Sequence, residues 1–156
     1  MSDDRPRPPL QWAEIVAVGS ELLDPDRAET NGAFLTEALR AAGIDVLARS
    51  IVADERGLIE SAVRTALGRA DVVVATGGLG PTEDDLTREA AAAALGRRLE
   101  RDAATVEALR ARFARAGRTM APNNERQADR IEGAELLRNP NGTAPGQWLE
   151  RDAPLY

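Results

Sequence analysis

Glycine, hydroxyl and carboxylate side chains follow one another in the segment TGGLGPTEDDLT, residues 76–87. Gly77, Gly78 and Gly80 permit a sharp turn and a close approach of the backbone to a ligand. The free amides at the start of the helix predicted to follow attract phosphate. The adjacent Asp84 and Asp85 repel phosphate unless a divalent cation lies between them. The segment therefore predicts a Mg²⁺-assisted site for a phosphorylated ligand.

The same segment also has a purely structural interpretation. Tight turns use glycine whether or not a ligand binds, and the Thr82 hydroxyl is a fair candidate for capping the helix that follows. The carboxylates and hydroxyls that accompany the glycines favour the functional interpretation over the structural one.

Two residue types that this sequence lacks narrow its chemistry. It contains no His and no Cys, which removes the commonest general base and the usual ligands of transition metals. Catalysis by this chain must use carboxylates, hydroxyls, amides, backbone groups and a hard cation. The net charge of −6 argues against nucleic acid or an anionic membrane as a partner.

Alternating strands and helices are predicted to position the polar residues. Mostly apolar segments indicate strands at 12–18, 45–52 and 72–74. Helical periodicity indicates helices at 29–42, 55–69, 85–95 and 102–116. The three βα repeats predict a parallel sheet with right-handed crossovers. Near the end, 134–137 and 147–150 are expected to pair as a hairpin around the turn Asn139-Pro140-Asn141-Gly142.

Polar segments follow all three predicted strands, and in open α/β sheets ligands bind beyond the carboxyl ends of the strands. The first is Gly19-Ser20-Glu21, the second is Ala53-Asp54-Glu55 and the third is 76–85. Asp54 either caps the next helix or faces Asp85 across a cleft, where it would hold Mg²⁺ or orient water. Glu21 either does similar work or faces solvent.

The segment 121–130 offers further polar groups. Asn123, Asn124 and Gln127 carry amides suited to a heterocycle or a ribose, although loop and helix-start roles are commoner for such residues. Arg126 and Arg130 either neutralise phosphate or are ordinary solvated charges.

The opening MSDDRPRPPL lacks the apolar core of a signal peptide, and no apolar run approaches the roughly 20 residues that span a bilayer. We expect residues 1–11 to be a disordered lead-in and residues 12–156 to form one domain. A cytoplasmic location, with neither membrane nor nucleic acid as partner, is the corresponding expectation.

Five ordered motifs resemble the amino-terminal domain of the competence/damage-inducible protein A (CinA) family, part of the MoaB/Mog molybdopterin-binding superfamily. The resemblance implies a three-layer α/β/α fold with a mostly parallel sheet and a small antiparallel edge hairpin. It also implies a homo-oligomer, dimer or trimer. The motifs are TGGLGPTEDDLT, AVGSELL (17–23), the TN pair (30–31), VADE (52–55) and PNNERQA (122–128).

In the CinA branch, the resemblance implies metal-dependent cleavage of the pyrophosphate in ADP-ribose and related nucleotides. In the Mog branch, it implies molybdopterin binding and adenylyl transfer. A non-catalytic ligand-binding module is the third possibility. The implied small-molecule partner is a nucleotide or a pterin phosphate, and the implied cofactor is Mg²⁺ or another divalent metal, with molybdopterin as a possible ligand.

The site residues are carried over from the motifs by position. Asp85 and Asp54 fall on the catalytic positions and, together with Asp84, on the metal positions. The positions expected to bind phosphate or ligand are Thr76, Gly77, Gly78, Gly80, Thr82, Gly19, Glu21, Asn31, Asn123 and Asn124.

The sequence departs from the family pattern in two places. Members usually carry a Pro-Gly-Pro-Pro turn just beyond the point where this sequence ends at Tyr156. Many also carry a second domain with nicotinamide-nucleotide amidase activity. We therefore expect a domain curtailed at its carboxyl end, either as a fragment or as a stand-alone copy.

Overall fold

A computed structural model describes residues 9–150. Its parallel sheet has the strand order β2-β1-β3, with β1 at Trp12–Val18, β2 at Asp45–Val52 and β3 at Val72–Thr76. The prediction is confirmed to the residue for β1 and β2, and β3 is two residues longer than predicted. Of the lead-in expected at residues 1–11, residues 1–8 lie outside the described part, and residues 9–11 have no helix or strand.

Four α-helices accompany the strands, each slightly shorter than predicted. Valines on one face of β1 pack against α2 and α3, where Ile59 and Val63 are buried. The other face of β1 lies against α1 and buries Ile15 almost completely. Helices therefore cover both faces, and the three-layer α/β/α prediction is confirmed. The helices are α1 Asn31–Ala41, α2 Arg56–Leu67, α3 Thr87–Leu95 and α4 Ala103–Arg115.

Two small antiparallel sheets complete the described fold. Strands β4 (Leu99–Arg101) and β5 (Asp129–Ile131) pair with each other, and neither was predicted. The predicted hairpin is confirmed as β6 (Glu135–Leu137) with β7 (Gly146–Trp148), and it forms a two-stranded sheet of its own. Within 9–150, no helix is long and apolar enough to span a membrane.

Candidate functional site

The carboxyl end of β3 runs into residues 77–86, which we call the glycine loop. The loop crosses the end of the central strand β1 so closely that a Cβ on Gly77 would lie 2.0 Å from the Val18 carbonyl oxygen. Gly77 also has φ +93°, a conformation that residues with a side chain rarely adopt. Only glycine fits at this position, so the loop is fixed against the edge of the sheet at which the sequence predicted a site.

Asp54 lies on the other side of the end of β1. Its Oδ2 accepts a hydrogen bond from the Ser20 amide at 2.7 Å, and its own amide donates to Ser20 Oγ at 3.0 Å. Helix α2 begins after Glu55 with no side-chain cap, so the capping interpretation of Asp54 is wrong. Because β1 separates β2 from β3, Asp54 and Gly77 flank β1 about two strand spacings apart, ~10 Å.

Asp85 closes the glycine loop on itself. Its Oδ1 accepts from the Gly80 amide at 2.8 Å. Its Oδ2 accepts from the Thr82 amide at 2.9 Å and also from the Thr82 hydroxyl. Thr82 is therefore a donor to Asp85, and the residue at the cap position of α3 is Leu86, which makes no side-chain cap bond.

These bonds also explain a wrong prediction. Helix α3 begins at Thr87 and not at the predicted residue 85, so Asp85 precedes the helix and does not lie in its first turn. The Asp85 carboxylate satisfies loop amides, which holds its own backbone outside the helix.

The hydrogen bonds of Asp85 set its charge. Partial burial by itself raises the pKa of Asp85, but the hydrogen bonds from Thr82 and Gly80, together with the charge of Arg88, outweigh burial and lower the pKa below its usual value. Asp85 is consequently ionised at neutral pH and is a weak proton acceptor. Its chemistry favours holding a cation or a loop over abstracting a proton.

The first two residues of α3 hold the carbonyl groups of the loop. Thr87 Oγ1 donates to the Gly77 carbonyl at 2.8 Å, and the Thr87 amide donates to the Gly78 carbonyl at 3.2 Å. Arg88 donates from Nη1 to the Leu79 carbonyl at 2.5 Å and from Nη2 to the Gly80 carbonyl at 3.0 Å. Four consecutive carbonyls are thus fixed by two side chains and one amide of α3.

Arg126 binds the far end of the loop. Its Nη1 donates to the Thr82 carbonyl at 2.6 Å, and its Nη2 lies 2.9 Å from Glu89 Oε1. Because these groups occupy the guanidinium, Arg126 is neither a free phosphate partner nor a solvated charge. Arg130 is paired with Glu100 at 3.6 Å.

The carbonyl contacts determine where the loop amides point. In a trans peptide the C=O and the following N–H point in opposite directions. Fixing the carbonyls of Gly77 and Gly78 toward α3 therefore directs the amides of Gly78 and Leu79 away from α3. Neither amide has a hydrogen-bond acceptor among residues 9–150. Two adjacent unpaired N–H groups are the kind of backbone site that binds an anion.

Thr87 and Arg88 are the residues that the sequence reasoning missed. Both are buried, at 3% and 2% exposure. A signal for Arg88 was available: it occupies the same helical stripe as Ala92 and Leu95, which line the core. A charged residue on an apolar stripe indicates a buried partner.

The remaining predicted site residues lie at varying distances from the loop. The Glu21 carboxylate lies over Gly19, within 3.0 Å of the position of a Cβ there.

Asn123 Nδ2 is 3.5 Å from the Pro81 carbonyl, which places Asn123 at the rim of the glycine loop. Asn124 bonds its own segment at Ala121. Asn31 is the first residue of α1. Thr76 ends β3.

The acidic residues near the loop are not arranged as a preformed metal cage. Within the described ranges, no group of three or more Asp or Glu side chains is placed to hold a metal ion. Asp84 is exposed and has no hydrogen-bond partner in that part of the chain. The donor set fits a Mg²⁺ ion that takes one or two carboxylates and completes its shell with phosphate oxygens and water.

This fold and this loop define a class of α/β domain with a glycine-rich loop at the carboxyl edge of a parallel sheet. The family model described as "Probable molybdopterin binding domain" matches residues 14–155. The chain belongs to this family of molybdopterin-binding domains, within its CinA branch.

Curated relatives support the CinA branch. A CinA-like protein of Koribacter versatilis is 54% identical over 138 residues, which cover 88% of this chain and 33% of that protein. A putative competence-damage inducible protein of Geobacillus kaustophilus is 48% identical over 144 residues, covering 92% and 35%. The chain thus spans about a third of the length of the curated relatives it matches.

Solved structures of similar proteins superpose on this chain. The CinA protein of Thermoplasma acidophilum, whose function is given as unknown, superposes with a TM-score of 0.81 at 33% identity and covers 88% of this chain and 80% of that one. A molybdopterin biosynthesis protein of Mycobacterium abscessus has a TM-score of 0.52 at 32% identity, covering 70% and 67%. The tungsten cofactor synthesizing protein MoaB of Pyrococcus furiosus, at 23% identity and TM-score 0.53 with 86% and 78% covered, shares the fold.

Proposed function

We propose that this chain binds a phosphorylated nucleotide at the glycine loop and, with a divalent cation, hydrolyses the pyrophosphate linkage of an ADP-ribose-like substrate. The observation that carries the proposal is the pair of unpaired amides, Gly78 and Leu79, in the same loop as the ionised Asp85 at one sheet edge. The amides bind phosphate oxygens, and a cation offsets the repulsion between the carboxylates and the phosphate.

The chain's residues divide the work in this proposal. Asp85 fixes the loop and presents negative charge toward the cation. Asp54, held by Ser20, orients the attacking water on the other side of β1. The water oxygen forms a bond to one phosphorus, the bridging P–O bond breaks, and AMP and ribose 5-phosphate leave. One or two of Asp54, Asp84 and Asp85 would hold Mg²⁺, which would polarise the phosphate and acidify the water.

The test is a hydrolysis assay of the purified chain with Mg²⁺ and ADP-ribose, in which AMP is measured. We expect Asp85→Asn and Asp54→Asn each to lower turnover by roughly 10²-fold or more, the scale of a lost charge-stabilising or water-orienting group. Asp45→Asn is the matched control, because Asp45 is an exposed carboxylate at the opposite end of β2. A folded Asp85→Asn protein with full activity contradicts the role given to Asp85.

The second candidate function is molybdopterin binding with adenylyl transfer. The description of the matching family and the molybdopterin biosynthesis protein at 32% identity favour it. A competition experiment separates the two: molybdopterin displacing ADP-ribose at lower concentration than ADP-ribose displaces itself supports this alternative. Binding of ADP-ribose without AMP release under any divalent metal supports a non-catalytic module.

Self-association and a cytoplasmic location complete the proposal. Both derive from the family resemblance and the composition. Sedimentation equilibrium of the purified chain is expected to report a dimer or a trimer, and a monomer across the micromolar range contradicts self-association.

A further inference from the structure

Arg88 is a buried charge that neither candidate reaction uses directly. Its side chain is 2% exposed, and burial lowers its pKa, although nearby Glu89 and Asp129 oppose that effect. Its two terminal nitrogens bind the neutral carbonyls of Leu79 and Gly80. Its Nε is buried without a hydrogen-bond partner among residues 9–150. Burying a guanidinium for two carbonyls is a costly way to stabilise a fold.

The geometry of those two bonds determines what the guanidinium achieves. Fixing the Leu79 carbonyl toward α3 turns the following amide, that of Gly80, in the opposite direction. That amide is the one that donates to Asp85 Oδ1 at 2.8 Å. Fixing the Gly80 carbonyl leaves no amide to direct, because the next residue is Pro81. Arg88 therefore holds the peptide on which the position of Asp85 depends.

Thr87 and Arg88 bind successive pairs of carbonyls at the start of the loop. Thr87 binds the carbonyls of Gly77 and Gly78 and so directs the two unpaired amides. Arg88 binds the next two carbonyls and directs the amide that orients the carboxylate. The unpaired amides and Asp85 thus keep a fixed spacing because adjacent residues of one helix hold the peptides that carry them.

We propose that Arg88 is a positioning residue. Its planar guanidinium binds two consecutive carbonyls and so holds the glycine loop in the conformation that binds phosphate. The inference deepens the proposed function and rests on it only for the identity of the ligand. Lysine at this position keeps the positive charge, but its ammonium group is a compact point charge. It cannot bind both carbonyls in the planar geometry of a guanidinium. The structure therefore predicts that charge alone is insufficient.

The first arm of the test needs no ligand. Amide hydrogen exchange of the folded chain is measured for wild type, Arg88→Lys and Arg88→Gln, of which the glutamine variant retains one amide donor. We expect exchange at Gly80 to rise at least about tenfold in Arg88→Lys, on the scale of a lost charge-assisted hydrogen bond. Val63→Ala, a core substitution between α2 and β1, is the control for general destabilisation and leaves exchange at Gly80 unchanged. Unchanged exchange at Gly80 in both Arg88 variants overturns the inference.

The second arm measures binding and turnover. With inorganic pyrophosphate and Mg²⁺ as the calorimetric probe, Arg88→Lys is expected to bind at least about tenfold more weakly. With ADP-ribose, KM is expected to rise by a similar factor while kcat changes less. Val63→Ala moves neither constant. Faster amide exchange at Gly80 together with unchanged pyrophosphate affinity overturns the role of Arg88 in phosphate binding. If wild type binds neither probe, the proposed function fails, and exchange at Gly80 still decides whether Arg88 sets the loop.

Discussion

At the scale of single residues, the Asp85 carboxylate holds the glycine loop together, and the sequence motif does not show this. The sequence placed Asp85 in a phosphate site, and the structure places it in the glycine loop with both carboxylate oxygens bonded to loop donors. A motif gives the residue type but not the direction of its side chain. No role was predicted for Arg88, although it is among the most buried residues near the loop.

The hydrogen bonds of Asp85 make stability depend on pH. A carboxylate whose pKa is lowered by folding stabilises the protein above the pKa of the unfolded chain, near 4. That contribution is lost as the pH falls through the folded pKa. We expect Asp85→Asn to lower the free energy of unfolding at pH 7 by about 1 kcal/mol, discounted for its partial exposure.

Urea unfolding of Asp85→Asn and wild type at several pH values measures this effect. The difference between the two proteins should shrink as the pH falls below about 4. Asp45→Asn again serves as the control, with a small difference at every pH. A gap between Asp85→Asn and wild type that is constant from pH 7 to pH 3 contradicts the hydrogen-bond explanation.

At the scale of elements, the long patterned segments and the β6–β7 hairpin, which its turn residues mark, were predictable, whereas the short pair β4–β5 was not. Strands β1 and β2 are mostly apolar and are seven and eight residues long, and their bounds were predicted correctly. Strands β4 and β5 have three residues each and include charged side chains. Such strands form through pairing in the folded chain, so no local pattern marks them. The start of α3 was misplaced because the Asp85 carboxylate binds Gly80 and Thr82 of its own loop, and the helical pattern of the sequence does not show these bonds.

The glycine loop provides a test at the same scale. We expect Gly77→Ala to destabilise the fold by more than about 2 kcal/mol, because the position combines a positive φ with a clash against the Val18 carbonyl. Gly57→Ala is the matched control, since Gly57 lies in α2 with open space around it. It should raise stability by about 0.5–1 kcal/mol.

Thermal unfolding of the two variants checks this pair. A fall in Tm for Gly77→Ala and a rise for Gly57→Ala are expected. Equal Tm values for Gly77→Ala and wild type would show that the loop does not need its close approach to β1.

At the scale of the whole molecule, the chain carries the fold of its family but about a third of the length of its curated relatives. The three layers and the edge at which the loop and Asp54 meet were predictable because parallel topology brings the carboxyl ends of strands together. Which carboxylates would contact a cation was not predictable, since that depends on side-chain directions and on a ligand that supplies most of the shell.

The dependence on a cation is testable on the intact chain. Within residues 9–150 no three-carboxylate cage exists, so we expect weak metal binding without ligand and stronger binding with it. Treatment with EDTA should abolish AMP release and weaken ADP-ribose binding at least about tenfold, and Mg²⁺ should restore both. Full hydrolysis of ADP-ribose in EDTA contradicts the proposed role of the metal.

The most direct measurement of the central claim is an amide NMR titration of the ¹⁵N-labelled chain with inorganic pyrophosphate and Mg²⁺. If the glycine loop binds phosphate, the largest shifts will fall on the amides of Gly78 and Leu79, with smaller shifts at Gly80 and Asp54. Shifts that concentrate elsewhere, such as the groove between α4 and the β6–β7 hairpin, or a loop that does not respond at saturating pyrophosphate, would contradict the claim.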